Sequence, residues 1–308
     1  MTIAMVFPGQ GSQSPGMQAG LAAAHAVVAE VYAEASDILG YDLWQLIQDG
    51  PAEKLDATVV TQPAMLTAGI AAWRVWQAAG GAEPRQMAGH SLGEYTALVA
   101  AGAVSFGDAL AVVKRRAELM QAAVPGGVGG MAAILGLDDE AVAAACRQAA
   151  GGEVCEPVNF NAPGQVVIAG HRTAMERAVT IAKAAGARRA ISLHVSVPSH
   201  SSLLREAGET LADSLAAAAF ETPGITVFSA CDARPYLDGD DIRQRLSAQV
   251  YSPVHWVETT RAMLAAGASR FVECGPGRVL AGLSRRIDKA TPVTAIDDPD
   301  GLAKALVS

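Results

Sequence analysis

Apolar residues run unbroken through Ile3-Ala4-Met5-Val6-Phe7 and stop at Pro8-Gly9-Gln10-Gly11-Ser12. A short apolar run closed by turn residues predicts a buried strand. Helical patterns follow to about residue 80, with Trp73 and Trp76 about one turn apart. Ser105 opens another helix, and Asp108 is placed as its capping-box partner. Ala109, Val112, Val113, Arg116, Leu119, Met120 and Val124 share one face of that helix, which runs toward Val124 and ends at Pro125-Gly126-Gly127. The period then changes. A strand near 131–135, a helix near 138–149, strands near 154–159 and 165–169, a helix near 172–185 and a strand near 190–197 give the order βαββαβ, the ferredoxin-like arrangement. Ile191, Leu193, Val195 and Val197 alternate along the last strand until Pro198, and a helix continues through Leu203, Leu204 and Leu211. The expected organisation is a larger α/β body over 1–125 and 198–308, with a small ferredoxin-like lobe over 126–197 inserted into it.

Composition narrows the function classes. The chain has 308 residues, 51% hydrophobic and only 5% aromatic, which fits an α/β protein with a sizeable core. A formal net charge of -8 with no block of Lys and Arg argues against a nucleic-acid binder. No apolar run reaches the length of a membrane span. The N-terminal stretch lacks a cationic n-region, so a cytoplasmic protein is expected. Cys146, Cys155, Cys231 and Cys274 lack metal-ligand spacing and read as small buried hydrophobes. Gly127, Gly129 and Ala132 mimic a dinucleotide fingerprint, but the stretch follows a helix and enters a strand, the reverse of what a phosphate loop needs. Gly9-Gln10-Gly11 follows a strand but reaches Ser14 where a third glycine is required.

Three residues carry candidate chemistry. Ser91 lies in Gly89-His90-Ser91-Leu92-Gly93, where glycines at minus two and plus two suit a sharp strand-to-helix turn. Such a turn either holds a solvated serine or lifts a nucleophile above a helix N-terminus, with the Leu92 amide facing any oxyanion formed on an attacked carbonyl. Serine needs a base. His200, at the mouth of the helix after Pro198, either fills an N-cap position or serves as that base, kept neutral by the helix N-terminus. His90 adjoins Ser91 but should diverge from it across the turn. His25, His171 and His255 read as surface or packing residues, and His194 as facing away from the apolar side of its strand. Arg116 occupies an apolar stripe, while Lys114 and Arg115 sit on other faces where either can pair with Glu118. A buried guanidinium is costly without a partner, so either an internal carboxylate satisfies Arg116 or it faces a pocket awaiting an anionic ligand.

Serine, a downstream histidine and a buried arginine suggest acyl transfer from a substrate bearing a second carboxylate. In that setting the chain resembles the bacterial malonyl-CoA:acyl carrier protein transacylases of fatty-acid synthesis. The resemblance rests on FPGQGSQ at 7–13, TQPA at 61–64, GHSLGEY at 89–95, the Arg116 helix, PVNFNAPGQVVIAG at 157–170, VSVPSH at 195–200, YSPVHW at 251–256 and ECGPGRVLAGL at 273–283. It implies an α/β-hydrolase-like large subdomain with a parallel sheet. It further implies that Ser91 is acylated, that His200 is its base, that Arg116 clamps the malonyl carboxylate, and that the Gln10 and Leu92 amides form the oxyanion hole. The backbone carbonyl of Gln249 would steady the histidine, and Gln62, Met120, Asn159 and Asn161 would line the pocket. Malonyl-CoA and acyl carrier protein are the implied partners, with no metal or redox cofactor. Lys183, Arg188, Arg189, Arg285 and Arg286 are expected to help dock an acidic carrier protein. Leu92 matches malonyl-selective members, whereas Ser199 stands where malonyl-selective polyketide domains often carry Phe. A thioesterase or lipase would share the serine turn but would not need Arg116. A transacylase charging the carrier subunit of malonate decarboxylase is the nearer alternative.

Overall fold

The computed structural model describes residues 2–307 apart from His194 and Ser196. Its nine strands among the described residues are β1 (Ile3–Phe7), β2 (Gln86–Gly89), β3 (Gly129–Leu135), β4 (Cys155–Ala162), β5 (Gln165–His171), β6 (Arg189–Ser192), β7 (Thr226–Phe228), β8 (Arg270–Cys274) and β9 (Val293–Ile296). They form two sheets. One is wholly parallel in the order β7-β2-β1-β8-β9, and the other is antiparallel in the order β4-β5-β3-β6. The chain is therefore a mixed α/β protein with a small separate antiparallel sheet.

The burial of β1 explains its unbroken apolar run. Ile3, Met5 and Phe7 point into one core with Met87, Val272 and the helices Val27–Leu39, Thr58–Ala78 and Phe106–Ala122. Ala4 and Val6 point into a second core with Ala88, Phe271, Trp256 and Leu280. A central parallel strand covered on both faces cannot afford polar positions. Trp73 and Trp76 are both buried in the first core. The antiparallel sheet differs: Ile134, Val166 and Ile168 on one face pack under the helices Asp139–Ala150 and Arg172–Ala184, whereas Met131, Val158, Val167 and Ala169 on the other meet no helix of their own. Main-chain bonds from Phe160 N–H to the Val254 carbonyl (2.9 Å) and from Val254 N–H to the Val158 carbonyl (2.8 Å) tie β4 to the segment leading into the helix Trp256–Ala265.

Two boundaries depart from the sequence pattern. β6 stops at Ser192, well short of Val197, because it is an edge strand paired only with residues 132–135 of β3. Leu193 N–H makes one more bond, to the Met131 carbonyl (2.9 Å), and the chain then leaves the ladder, with Leu193 and Val195 serving as cavity wall. His194 lies outside the described residues. At the other end β4 runs on to Ala162, with register shifts after Pro157 and Phe160. The helix expected directly after Pro198 begins as a short 3-10 turn at Ser202–Leu204 and becomes α-helical over Arg205–Ala217. Among the described residues no helix is long and apolar enough to cross a membrane.

Candidate active site

The turn between β2 and the helix Gly93–Ala100 has no room for side chains at its flanks. A Cβ on Gly89 would stand 1.8 Å from the Gly93 carbonyl carbon, and one on Gly93 would stand 2.0 Å from the Phe7 carbonyl oxygen. This tightness lets His90 N–H bond the Phe7 carbonyl (3.0 Å) and forces Ser91 to φ 52°, a left-handed conformation uncommon outside glycine. The second such position at the site is His200, at φ 67°. Non-glycine residues held there store strain that the surrounding structure must over-determine.

Strain places the two side chains together. Ser91 Oγ lies 2.7 Å from His200 Nε2, while His200 Nδ1 faces the Gln249 carbonyl at 2.9 Å and the Ser252 carbonyl at 3.1 Å. Carbonyls only accept, so Nδ1 carries the proton and Nε2 remains the acceptor for the serine hydroxyl. Burial lowers the His200 pKa to about 3, with the Arg116 charge adding to the effect. His200 stands just before Ser201, the N-cap of the short 3-10 turn Ser202–Leu204.

Arg116 is 1% exposed and makes no ion pair with a carboxylate among the described residues. Its Nη1 donates to Gln62 Oε1 (2.6 Å), and its Nη2 donates to Gln249 Oε1 (3.0 Å) and Ser91 Oγ (3.2 Å). Its guanidinium carbon stands 5.6 Å from the Tyr95 ring centre. The internal carboxylate allowed for from the sequence is not found among the described residues: neutral amides and a hydroxyl meet the fork, and the guanidinium lines a cavity.

That cavity has a volume of about 390 Å³. Ser91, His200, Arg116, Gln10, Leu92, Gln62, Met120, Asn159 and Asn161 all line it. Gln62 Nε2 also donates to Met120 Sδ (3.4 Å), linking two of the lining residues. Among the described residues no acceptor is paired with the backbone N–H of Gln10 or Leu92. His90 turns its Nε2 to Asn161 Oδ1 (2.8 Å) and not to Ser91, yet it still forms part of the wall. Met131, Val167, Leu193 and Val195, from the small sheet and its outgoing chain, close the opposite side. His171 accepts from Val154 N–H, and His255 stacks on Phe160 at 5.1 Å, both packing roles. Cys146, Cys155 and Cys274 are buried; Cys231, expected to be, is only half-buried. No group of three His, Cys, Asp or Glu side chains arranged to hold a metal occurs among the described residues.

The sequence reading assigned no role to Glu94 or to the side chain of Gln249. Glu94 is fully buried and accepts from Gln249 Nε2 (2.6 Å), the Ala230 N–H (3.4 Å) and the Tyr236 hydroxyl. An acid in a first helical turn normally reads as a solvated dipole partner, and only tertiary packing reveals its burial.

A serine hydroxyl on an imidazole, beside a buried arginine in a partly open cavity, is an arrangement suited to acyl transfer. The family model described as "Acyl transferase domain" matches residues 4–295. The chain is 53% identical to malonyl CoA-acyl carrier protein transacylase of Escherichia coli strain K12, over 98% of each chain. An acyl carrier protein S-malonyltransferase from Vibrio cholerae superposes with a TM-score of 0.96 at 52% identity, covering 99% of both chains. A malonyl-transacylase solved in complex with its type II PKS acyl-carrier protein superposes with a TM-score of 0.98 at 50% identity, again over 99% of both. The chain belongs to the acyl transferase domain family.

Proposed function

We propose that this enzyme transfers a malonyl group from malonyl-CoA to the phosphopantetheine thiol of acyl carrier protein, through a malonyl ester on Ser91, and so supplies fatty-acid synthesis. The observation that carries this reading is the position of Ser91 Oγ, 2.7 Å from His200 Nε2 and 3.2 Å from Arg116 Nη2. His200 takes the hydroxyl proton as Oγ attacks the thioester carbonyl. The Gln10 and Leu92 amides receive the oxyanion, and each such donor is worth roughly 3 kcal/mol. Collapse expels coenzyme A as its thiol, with the proton returned from His200. The carrier thiol then attacks the ester, His200 accepts its proton and returns it to Ser91 Oγ, and the malonyl thioester leaves. Arg116 holds the distal carboxylate bidentately, in a geometry lysine cannot copy.

Residues 1–125 and 198–308 act here as the catalytic subdomain, and 126–197 as the inserted ferredoxin-like subdomain that roofs the cavity. Lys183, Arg188, Arg189, Arg285 and Arg286, all exposed, contribute to carrier docking. The reaction needs no metal or redox group, and the cytoplasm is its proposed location. Intact-protein mass spectrometry after incubation with malonyl-CoA tests the reading: the native chain gains one malonyl group, and Ser91→Ala gains none. An adduct persisting in the variant would overturn the assignment of the nucleophile.

A further inference from the structure

We infer that Glu94 is a positioning residue for the reaction: acting through the Gln249 side chain, it sets the orientation of Arg116 without itself entering the arginine fork. The inference rests on the malonyl-transfer reading above and deepens it. A primary amide can present either end to a neighbour, so something must decide which end meets Arg116. Gln249 Nε2 donates to Glu94 Oε2 (2.6 Å) and to the Ser91 carbonyl (3.0 Å). Both are acceptors only, which commits the amide nitrogen to that side. The amide oxygen is then obliged to face Arg116, whose Nη2 lies 3.0 Å away. A flipped amide would set N–H against N–H at the guanidinium and oxygen against oxygen at Glu94.

Donors surround Glu94 completely. Gln249, Tyr236 and the Ala230 N–H all point at its two oxygens. Burial pushes its pKa up, while these same hydrogen bonds push it down. Burial is the larger effect, so the pKa of the Glu94 carboxyl sits above its ordinary value, with the converging donors opposing that rise. Glu94 is thus a buried carboxyl placed one amide away from Arg116. A carboxylate in direct contact would fill the bidentate site that a malonyl group has to occupy. The intervening amide keeps the carboxyl out of direct contact, so that the fork meets only neutral amides and a hydroxyl. Gln249 thereby does two things at once, since its backbone carbonyl holds His200 and its side chain holds Arg116.

The test compares acylation of Ser91 by malonyl-CoA and by acetyl-CoA in the purified full chain, read as initial rates by intact-protein mass spectrometry. Glu94→Gln offers the Gln249 amide either end. It should lower the malonyl rate by about tenfold or more, equivalent to about 1.4 kcal/mol of transition-state stabilisation. The acetyl rate, which does not use the arginine fork, should change by less than about threefold. A general structural role would depress both rates by the same factor, and that outcome, or no change in either, overturns the inference. Tyr236→Phe removes one donor from Glu94 without touching Gln249 or Arg116, and covers the case in which Glu94→Gln does not fold. It should lower the malonyl-to-acetyl ratio in the same direction but less, and an unchanged ratio again overturns the inference. If the native chain itself takes no malonyl group, the functional reading fails, not the role of Glu94 within it.

Discussion

The two walls of the cavity are built on opposite principles. The floor, formed by the nucleophile turn, the Arg116 helix and the Gln249 segment, is a buried polar network in which each side chain is held by others: Arg116 by Gln62 and Gln249, Gln249 by Glu94, His200 by two carbonyls. The roof is mostly apolar, with Met131, Val167, Leu193 and Val195 beside the two amides Asn159 and Asn161 of β4. Buried networks such as the floor's fix geometry, because breaking a pair leaves its partner unsatisfied in a dry interior. An apolar wall only shapes and dries the space. Chemistry should therefore belong to the floor, and size discrimination to the roof.

Substitutions can break or sharpen that contrast. The largest effect should come from His200→Ala, which removes the base; acylation of Ser91 by malonyl-CoA should slow by about 10³-fold in rapid-quench measurements. The native histidine also predicts a pH signature. Its folded pKa lies below the ordinary value near 6.5, so the folded chain refuses a proton that the unfolded chain accepts. Its contribution to stability is complete above about pH 6.5 and is lost progressively as pH falls toward 3, which denaturant melts across that range would register. Arg116→Ala should follow, with malonyl acylation falling by about 10²-fold and acetyl acylation far less; equal losses would remove the carboxylate clamp from the floor's functions. On the roof, Leu193→Ala should leave the malonyl rate within about threefold and raise acceptance of methylmalonyl-CoA in a competition assay. A large loss of malonyl rate would show that the roof takes part in the chemistry. Smallest of all, Arg286→Glu, outside both walls, should raise the apparent KM for carrier protein by only a few-fold, with the malonyl-CoA acylation rate unchanged.

The same division explains what could be read before any coordinates. Ser91 was legible because a tight turn imposes glycine at fixed neighbours, and that constraint is local. Arg116 was legible as an anomaly, a cation in an apolar stripe, though only the fold could say that amides and not a carboxylate meet it. β1 declared itself by being apolar throughout, as a strand covered on both faces must be. Leu193 and Val195 line the cavity beyond the described end of β6, and alternation, which encodes two-sidedness and not hydrogen bonding, does not distinguish such a wall from a strand. Glu94 stayed hidden because its partners Tyr236 and Gln249 lie far along the chain, and nothing local distinguishes a buried acid from a solvated one. The sequence by itself determined the turn, the period of each element and the residue types the chemistry needs, since these depend on neighbours within a few positions. Only the tertiary structure decided which distant side chains satisfy one another and which way a histidine and a glutamine present their polar atoms, because burial makes those pairings obligatory and burial is a property of the whole fold.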